Sequence, residues 1–225
     1  MVNWQTIDTV LLDMDGTLLD LHFDNHFWQE YVPERYAASR GLDVPTAKAI
    51  LTPIFRRAEG TLNWYCLDYW SRELELDIAS LKRDVAELIA IKPHAIEFLD
   101  AVRGANKRAV LVTNAHRKSL ALKLERTRLD GHLDSLISAH DFGSPKETNT
   151  FWLRLQKVEP FDPSRTLLID DTLSILRAAR AFGIAQLLAV ARPSSQHPTR
   201  ATEEFAALEN FRDIMPFKLA PRTKT

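Results

Sequence analysis

Short apolar runs and longer amphipathic stretches divide the chain into two kinds of territory. Val10, Leu11 and Leu12 form an apolar run too brief for a helix and β-branched at its start. That is the pattern of a strand buried on both faces. It recurs in Arg108–Thr113 (RAVLVT), in residues 133–138, in 165–169 (RTLLI) and in Gln186–Val190, the last strand expected. No strand pattern interrupts residues 21–91. Residues 22–41 carry Phe23, Phe27, Tyr31 and Tyr36 at helical spacings, and Pro33 starts a second piece. Residues 45–58 read as a helix that Pro53 should kink or end. Residues 61–74 are densely aromatic, and 77–91 read as an amphipathic helix with Asp77 as its N-cap.

Downstream, helices alternate with the strands. Pro93 opens one through Val102, with Ile96, Leu99 and Val102 on its apolar face and Gly104 after its end. Another carries Leu120, Leu124 and Thr127 and ends near Leu129. Residues 147–158 and 172–182 give two more, the second stopped by Gly183. Residues 205–211 are expected to add a short helix, and the terminal PRTKT to fray. Strand, helical block, then alternating helix and strand predicts an α/β fold with a doubly wound parallel sheet and helices on both faces. Its division is an α/β core from residues 1–20 and 92–225, with a helical cap, 21–91, inserted after the first strand.

Composition narrows the class without changing that plan. With 225 residues, 45% apolar and 26% charged, the chain can bury a sizeable core. A formal net charge of −1 supplies no field that would favour nucleic acid or an anionic membrane. Cys66 is the single cysteine, so an internal disulfide framework is excluded. The opening MVNWQTIDTV lacks the basic and apolar regions of a signal peptide, and no stretch approaches the roughly 20 apolar residues of a membrane span. The expectation is a soluble cytoplasmic protein; its oligomeric state is left open.

The chemistry gathers where strands end. Asp13 and Asp15 follow the first strand, separated by one residue, and alternation in an extended segment turns both the same way. Gly16 lets the chain turn sharply there. Open α/β sheets hold their ligands at the carboxyl ends of the strands. Two acids placed so close repel unless a cation or a shared proton relieves them; the plain alternative is a turn bearing solvated acids. The second strand ends in Thr113-Asn114-Ala115-His116, Lys146 stands just before a helix, and the fourth strand ends in Asp170 and Asp171.

Asp13-Met14-Asp15-Gly16-Thr17, then Thr113, then Lys146, then Asp170 and Asp171 resemble, in order, the four motifs of the haloacid dehalogenase (HAD) superfamily, mostly Mg²⁺-dependent phosphatases. The resemblance implies that Asp13 attacks phosphorus to form an aspartyl-phosphate, a role open to a carboxylate. Asp15 would protonate the leaving alkoxide and then deprotonate the hydrolytic water. Asp13, the backbone carbonyl of Asp15, Asp170 and Asp171 would hold Mg²⁺, a hard ion preferring oxygen. The Thr113 hydroxyl and the Asn114 amide would bind phosphate oxygens, and Lys146 would bridge phosphate and Asp13. The helical block matches the family's first type of cap. Haloacid dehalogenases proper lack an acid at the position of Asp15, which points to a phosphatase.

The cap should choose the substrate. LLDMDGTLLDL, TLNWYCLDYWS, VTNAH, FGSPKE and IDDT together resemble bacterial nucleotidases of this superfamily that act on GMP and IMP. That implies hydrolysis of purine nucleoside 5′-monophosphates. Most cap aromatics (Phe23, Phe27, Trp28, Tyr31, Trp64, Tyr65, Tyr69, Trp70) belong to its core, but one or two facing the cleft would stack on a purine. Asn63, Asp68 and His26 are candidates for reading base or ribose. A phosphatase for a small sugar phosphate or phosphoglycolate, a phosphomutase, and a catalytically silent ligand-binding relative are the alternatives. Individually, Lys146 also reads as a surface lysine, Thr113 as a β-former, Asp170 as a helix cap, His116 as a first-turn residue and Cys66 as core.

Overall fold

Alternation along the strands sets the architecture. The computed structural model describes residues 2–216, and the PRTKT segment lies outside them. Six strands, β1 (Thr9–Leu12), β2 (Arg108–Thr113), β3 (Ser135–Ser138), β4 (Thr166–Asp170), β5 (Gln186–Val190) and β6 (Ala206–Leu208), form one sheet in the order β3-β2-β1-β4-β5-β6. Every adjacent pair is parallel. Val10 and Leu12 face one apolar layer with Ala109, Leu111, Leu167 and Ile169, while Leu11 faces the opposite layer with Val110, Val112 and Leu168. Both faces of the sheet are therefore covered, as a run with no polar alternation requires. Burying each such aliphatic side chain contributes about 1.5–3 kcal/mol.

The first layer is completed by Phe98, Leu99 and Val102 of a helix at Ala95–Gly104 and Leu120 of one at Arg117–Thr127. The second takes Phe151, Trp152 and Leu155 from Asn149–Val158, and Ile175, Leu176 and Ala179 from Leu173–Phe182. Thr148 caps the third of these helices through a bond from the Phe151 amide, and Gly183, at φ +107°, closes the fourth.

The helical block comprises α1 (His22–His26), a π-helical turn at Phe27–Tyr31, α2 (Val32–Arg40), α3 (Val44–Ala58), α4 (Leu67–Leu74) and α5 (Ile78–Asp84). In chain order, the four core helices above are then α6 to α9. The block has its own apolar cluster around Phe23, Phe27, Leu51, Trp70 and Ile78, joined by Leu122 of α7. The two connecting segments run side by side: Asp20 N–H donates to the Ala90 carbonyl, and Lys92 N–H to the Leu18 carbonyl. Among the described residues, no helix is long and apolar enough to cross a membrane.

Four local expectations are corrected. Pro53 neither ends nor divides α3, which runs through it. Pro53 and Ala49, four residues back, are both exposed, so water can take the bond that the proline cannot donate. The helix expected over 77–91 stops at Asp84 and is followed by a 3₁₀ turn at Ala86–Leu88. The chain must then return to the sheet, where Ile91 bridges Leu19 antiparallel; Asp77 caps α5 as expected, accepting from the Ser80 amide at 3.0 Å. Gln186–Val190 is not the last strand. Within 205–211, where a helix is expected, Ala206–Leu208 form β6 instead, pairing Ala206 with Leu188 and Leu208 with Val190, and a 3₁₀ turn begins only at Phe211. The open edge of β5 offers backbone partners that a short helix would leave unpaired, and Phe205 and Leu208 fall in opposite apolar layers, as residues of a strand do.

Candidate active site

β1 lies at the middle of the sheet, and its neighbours β2 and β4 deliver their ends to the same rim. Asp13 leaves β1 with its amide donating to the Ile169 carbonyl of β4 at 3.0 Å. Asp170 ends β4 and Asp171 follows. One carboxylate oxygen from each of Asp13, Asp170 and Asp171 lies within 4.8 Å of the others, and all three residues are buried. Gly16 makes the turn beside them at φ +85°, and a Cβ there would stand 2.7 Å from an Asp171 oxygen. Both the conformation and the space demand glycine.

Lys146 closes this group. Its Nζ donates to Asp13 Oδ1 at 2.6 Å, to Asp170 Oδ2 at 2.7 Å and to the Val112 carbonyl at 3.0 Å. The backbone around it is braced: its amide donates to Asn114 Oδ1 and its carbonyl accepts from Trp152 Nε1. Burial works against the ammonium, but Asp13 and Asp170 outweigh it and hold the lysine firmly charged. One lysine does not balance three acids. Burial, with neighbouring carboxylates adding to it, pushes Asp13 up to about 7 and Asp170 and Asp171 each to about 6. The Arg200 guanidinium offsets part of this at Asp171.

Asp15 lies outside this trio of side chains. Its Oδ1 accepts from Lys123 Nζ at 2.6 Å, and the same Nζ reaches Asp24 Oδ2 at 2.6 Å. Asp24 Oδ1 in turn accepts from Lys82 Nζ at 2.6 Å. The result is a chain, Asp15–Lys123–Asp24–Lys82, with buried lysines and part-buried acids, running from the sheet rim into the helical block, with Lys82 also against the faces of Phe23 and Phe27. Burial raises the Asp15 carboxyl despite Lys123; at Asp24 the two lysines outweigh burial and hold the carboxyl well below its ordinary range.

Thr113 and Asn114 sit at the same rim but are engaged within the protein. The Thr113 hydroxyl oxygen accepts from the Ala115 amide at 3.0 Å. Besides bracing Lys146, Asn114 donates through Nδ2 to Glu147, whose other oxygen accepts from the Tyr65 hydroxyl of the helical block at 3.1 Å. Asp68 is tied to Lys118 and faces His116, so it is committed to the surface between block and sheet.

Between block and sheet lies a cavity of about 350 Å³, lined by Asp15, Asp24 and His116 together with the aromatic rings of Trp28, Phe55, Trp64 and Tyr65. Trp64 is 37% exposed, whereas Trp70 is buried at 1% and donates through Nε1 to the Trp64 carbonyl. Of the two tryptophans in the aromatic run, Trp64 faces the cavity and Trp70 supports it. Sequence reasoning passed over Lys123, Asp24 and Lys82. The available signal was a lysine on an apolar helix face: Lys82 shares its face with Ile78, Leu81 and Val85.

Comparison with known proteins bears on this geometry. A family model described as haloacid dehalogenase-like hydrolase matches residues 7–183. The chain is 43% identical over 215 residues to the GMP/IMP nucleotidase YrfG of Escherichia coli (strain K12), spanning 96% of this chain and 97% of that protein. It is 29% identical over 108 residues to the pyrimidine 5′-nucleotidase YjjG of the same organism, 46% of this chain and 48% of that one. The crystal structure of a HAD phosphatase from Thermococcus onnurineus has the same fold, with a TM-score of 0.77 at 18% identity over 92% of this chain and 95% of that chain.

Proposed function

The chain belongs to the haloacid dehalogenase-like hydrolases, and from that premise we propose that it is a Mg²⁺-dependent phosphatase that hydrolyses purine nucleoside 5′-monophosphates, GMP and IMP foremost. The observation that carries the reading is the buried Asp13–Lys146–Asp170 arrangement at the sheet rim, with Asp15 of the same turn lining an aromatic cavity. The similarity over nearly the whole chain to a GMP/IMP nucleotidase, helical block included, favours a purine nucleotide over a sugar phosphate.

The donor set fits Mg²⁺. Asp13, Asp170 and Asp171 offer only oxygen, and their excess of negative charge over Lys146 calls for a hard cation. Bound by these residues, with the backbone carbonyl of Asp15, Mg²⁺ would supply charge neutralisation for the transferring phosphoryl group.

The remaining work falls to the chain. Asp13, at the sheet rim, is the nucleophile: its carboxylate oxygen bonds to phosphorus as the ester oxygen leaves, giving an aspartyl-phosphate and an alkoxide. Asp15 delivers a proton to that alkoxide, which is released as the nucleoside. Ionised again, and stabilised so by Lys123, Asp15 takes a proton from water, whose oxygen attacks phosphorus and frees Asp13 and phosphate. Lys146 holds Asp13 in line and offsets developing negative charge without moving its proton. Thr113 and the Asn114 amide bind phosphate oxygens. The block, residues 21–91, acts as a cap that excludes water and offers Trp64, Trp28 and Phe55 to the purine face.

The test is phosphate release with Mg²⁺ from a panel of 5′-mononucleotides, sugar phosphates and phosphoglycolate. GMP and IMP are expected to give the highest kcat/KM. Preference for a sugar phosphate would overturn the substrate assignment, and no release from any ester would overturn the reaction.

A further inference from the structure

A second cluster of metal-binding side chains lies beside the first site and takes no part in phosphoryl transfer. Cys66 precedes α4 in the helical block, His116 precedes α7 after β2, and His140 lies in the 3₁₀ turn Ala139–Asp141 after β3. These segments are distant in sequence, yet one ligand atom from each of the three side chains lies within 4.8 Å of the others. The two imidazoles meet edge to face with centroids 4.9 Å apart.

The cluster's polar atoms are poorly satisfied as they stand. His140 Nε2 is buried and has no hydrogen-bond partner among the described residues. Leaving such a group unpaired costs its desolvation, and an orphan of this kind in a folded protein asks for a missing partner. His116 presents one ring nitrogen to the Lys118 amide at a long 3.3 Å and the other to the Asp68 carboxylate 3.7 Å away. Cys66 Sγ accepts only the Tyr69 amide, at 3.4 Å.

We propose that Cys66, His116 and His140 bind a divalent transition-metal ion, Zn²⁺ by ligand type, which clasps the helical block to the sheet. One thiolate and two imidazoles form a borderline-soft set that suits Zn²⁺ and not Mg²⁺, whereas the three carboxylates are a hard set of the opposite preference. The two neighbouring sites thus sort two ions by chemistry. The fourth position is open to water; Asp68 is placed to steady the His116 ring at Nε2, as carboxylates do for metal-bound histidines, and Nδ1 takes the ion in place of its long Lys118 amide contact. Zn²⁺ binding releases the Cys66 proton to solvent. Because His116 lines the cavity and Cys66 belongs to the block, the bound ion fixes the block in the seat seen here.

The test titrates Zn²⁺ calorimetrically into the full-length protein under saturating Mg²⁺, which occupies the carboxylate site. Co²⁺ serves as a spectroscopic probe for the thiolate. One Zn²⁺ per chain and a thiolate-to-cobalt charge-transfer band are expected. Cys66→Ser keeps a good N-cap for α4, so its Zn²⁺-free melting should match the wild type. It should abolish the band and weaken Zn²⁺ on the order of 100-fold, as should His140→Gln for affinity. Absence of Zn²⁺ heat beyond the Mg²⁺-loaded protein would overturn the proposal, as would binding unaltered by both substitutions. None of these readouts depends on phosphatase activity, so they stand or fall apart from the reaction assigned above.

Discussion

Replacing Lys123 with Met should destabilise the protein far more than an ordinary lysine substitution does. Its ammonium is 1% exposed as a residue and lies 2.6 Å from both Asp15 and Asp24. At an effective dielectric constant of about 20, each contact is worth about 6 kcal/mol of Coulomb attraction. Desolvation of the buried ammonium and two part-buried carboxylates cancels much of that. The substitution does not return those charges to water, however. It leaves Asp15 and Asp24, both part-buried at the cavity wall, facing each other with only Lys82 left against Asp24. Breaking a fully buried pair costs about 3–5 kcal/mol, which is the ceiling here because the two carboxylates keep some solvent; even part of it is a large share of the roughly 5–15 kcal/mol that holds a domain folded. Urea unfolding at constant m-value reads the loss directly. A second variant, Asp24→Asn, removes the charge that Lys123 compensates. Lys123→Met combined with Asp24→Asn should therefore lose clearly less than the sum of the two single losses. A Lys123→Met loss below about 1 kcal/mol, or strict additivity, would refute the buried relay.

Two further outcomes follow from the same geometry. Trp64→Ala should lower kcat/KM for GMP by on the order of 10-fold or more, the scale of about 1–3 kcal/mol for stacking on one base, while leaving p-nitrophenyl phosphate nearly unaffected; Trp70→Ala should instead lower stability by about 3–5 kcal/mol, as a buried tryptophan does. Equal losses on both esters for Trp64→Ala would count against a stacking role. The second outcome concerns pH. Asp13, at about 7, and Asp170 and Asp171, at about 6, sit above the ordinary carboxylate value of 3.8, so the metal-free fold binds protons that the unfolded chain has already lost. Their contribution to stability is fully present below pH 3.8 and is lost as pH rises through 6 to 7. Mg²⁺ should therefore raise the melting temperature more at pH 8 than at pH 5.5, because protons compete for the same oxygens; a larger gain at the lower pH would contradict this.

What the chain's order of residues made legible was the part that local chemistry determines. The β1 run and its Asp13-x-Asp15-Gly16 exit announced a buried central strand with a charged rim, and the parallel sheet and the convergence of Asp13, Lys146, Asp170 and Asp171 follow that plan. Lys146 is unreadable from its neighbours; only its place in the order of motifs distinguished it from a surface lysine. The misreadings share one cause, tertiary context overriding local preference. β6 forms because β5 leaves an edge to pair, not because AAL is a strong strand former. Pro53 persists within α3 because it lies where water can reach. The relay from Asp15 to Lys82 joins residues 58 to 108 positions apart, which no local spacing displays.

The central claim is that Asp13 carries the phosphoryl group. The most direct measurement compares Mg²⁺-dependent phosphate release from GMP by the wild type and by Asp13→Asn, with circular dichroism of both. Asp13→Asn is expected to fold like the wild type and release phosphate at a rate lowered by at least about 10⁴-fold, the scale of losing a covalent nucleophile. A folded Asp13→Asn enzyme retaining a tenth or so of wild-type turnover would contradict it.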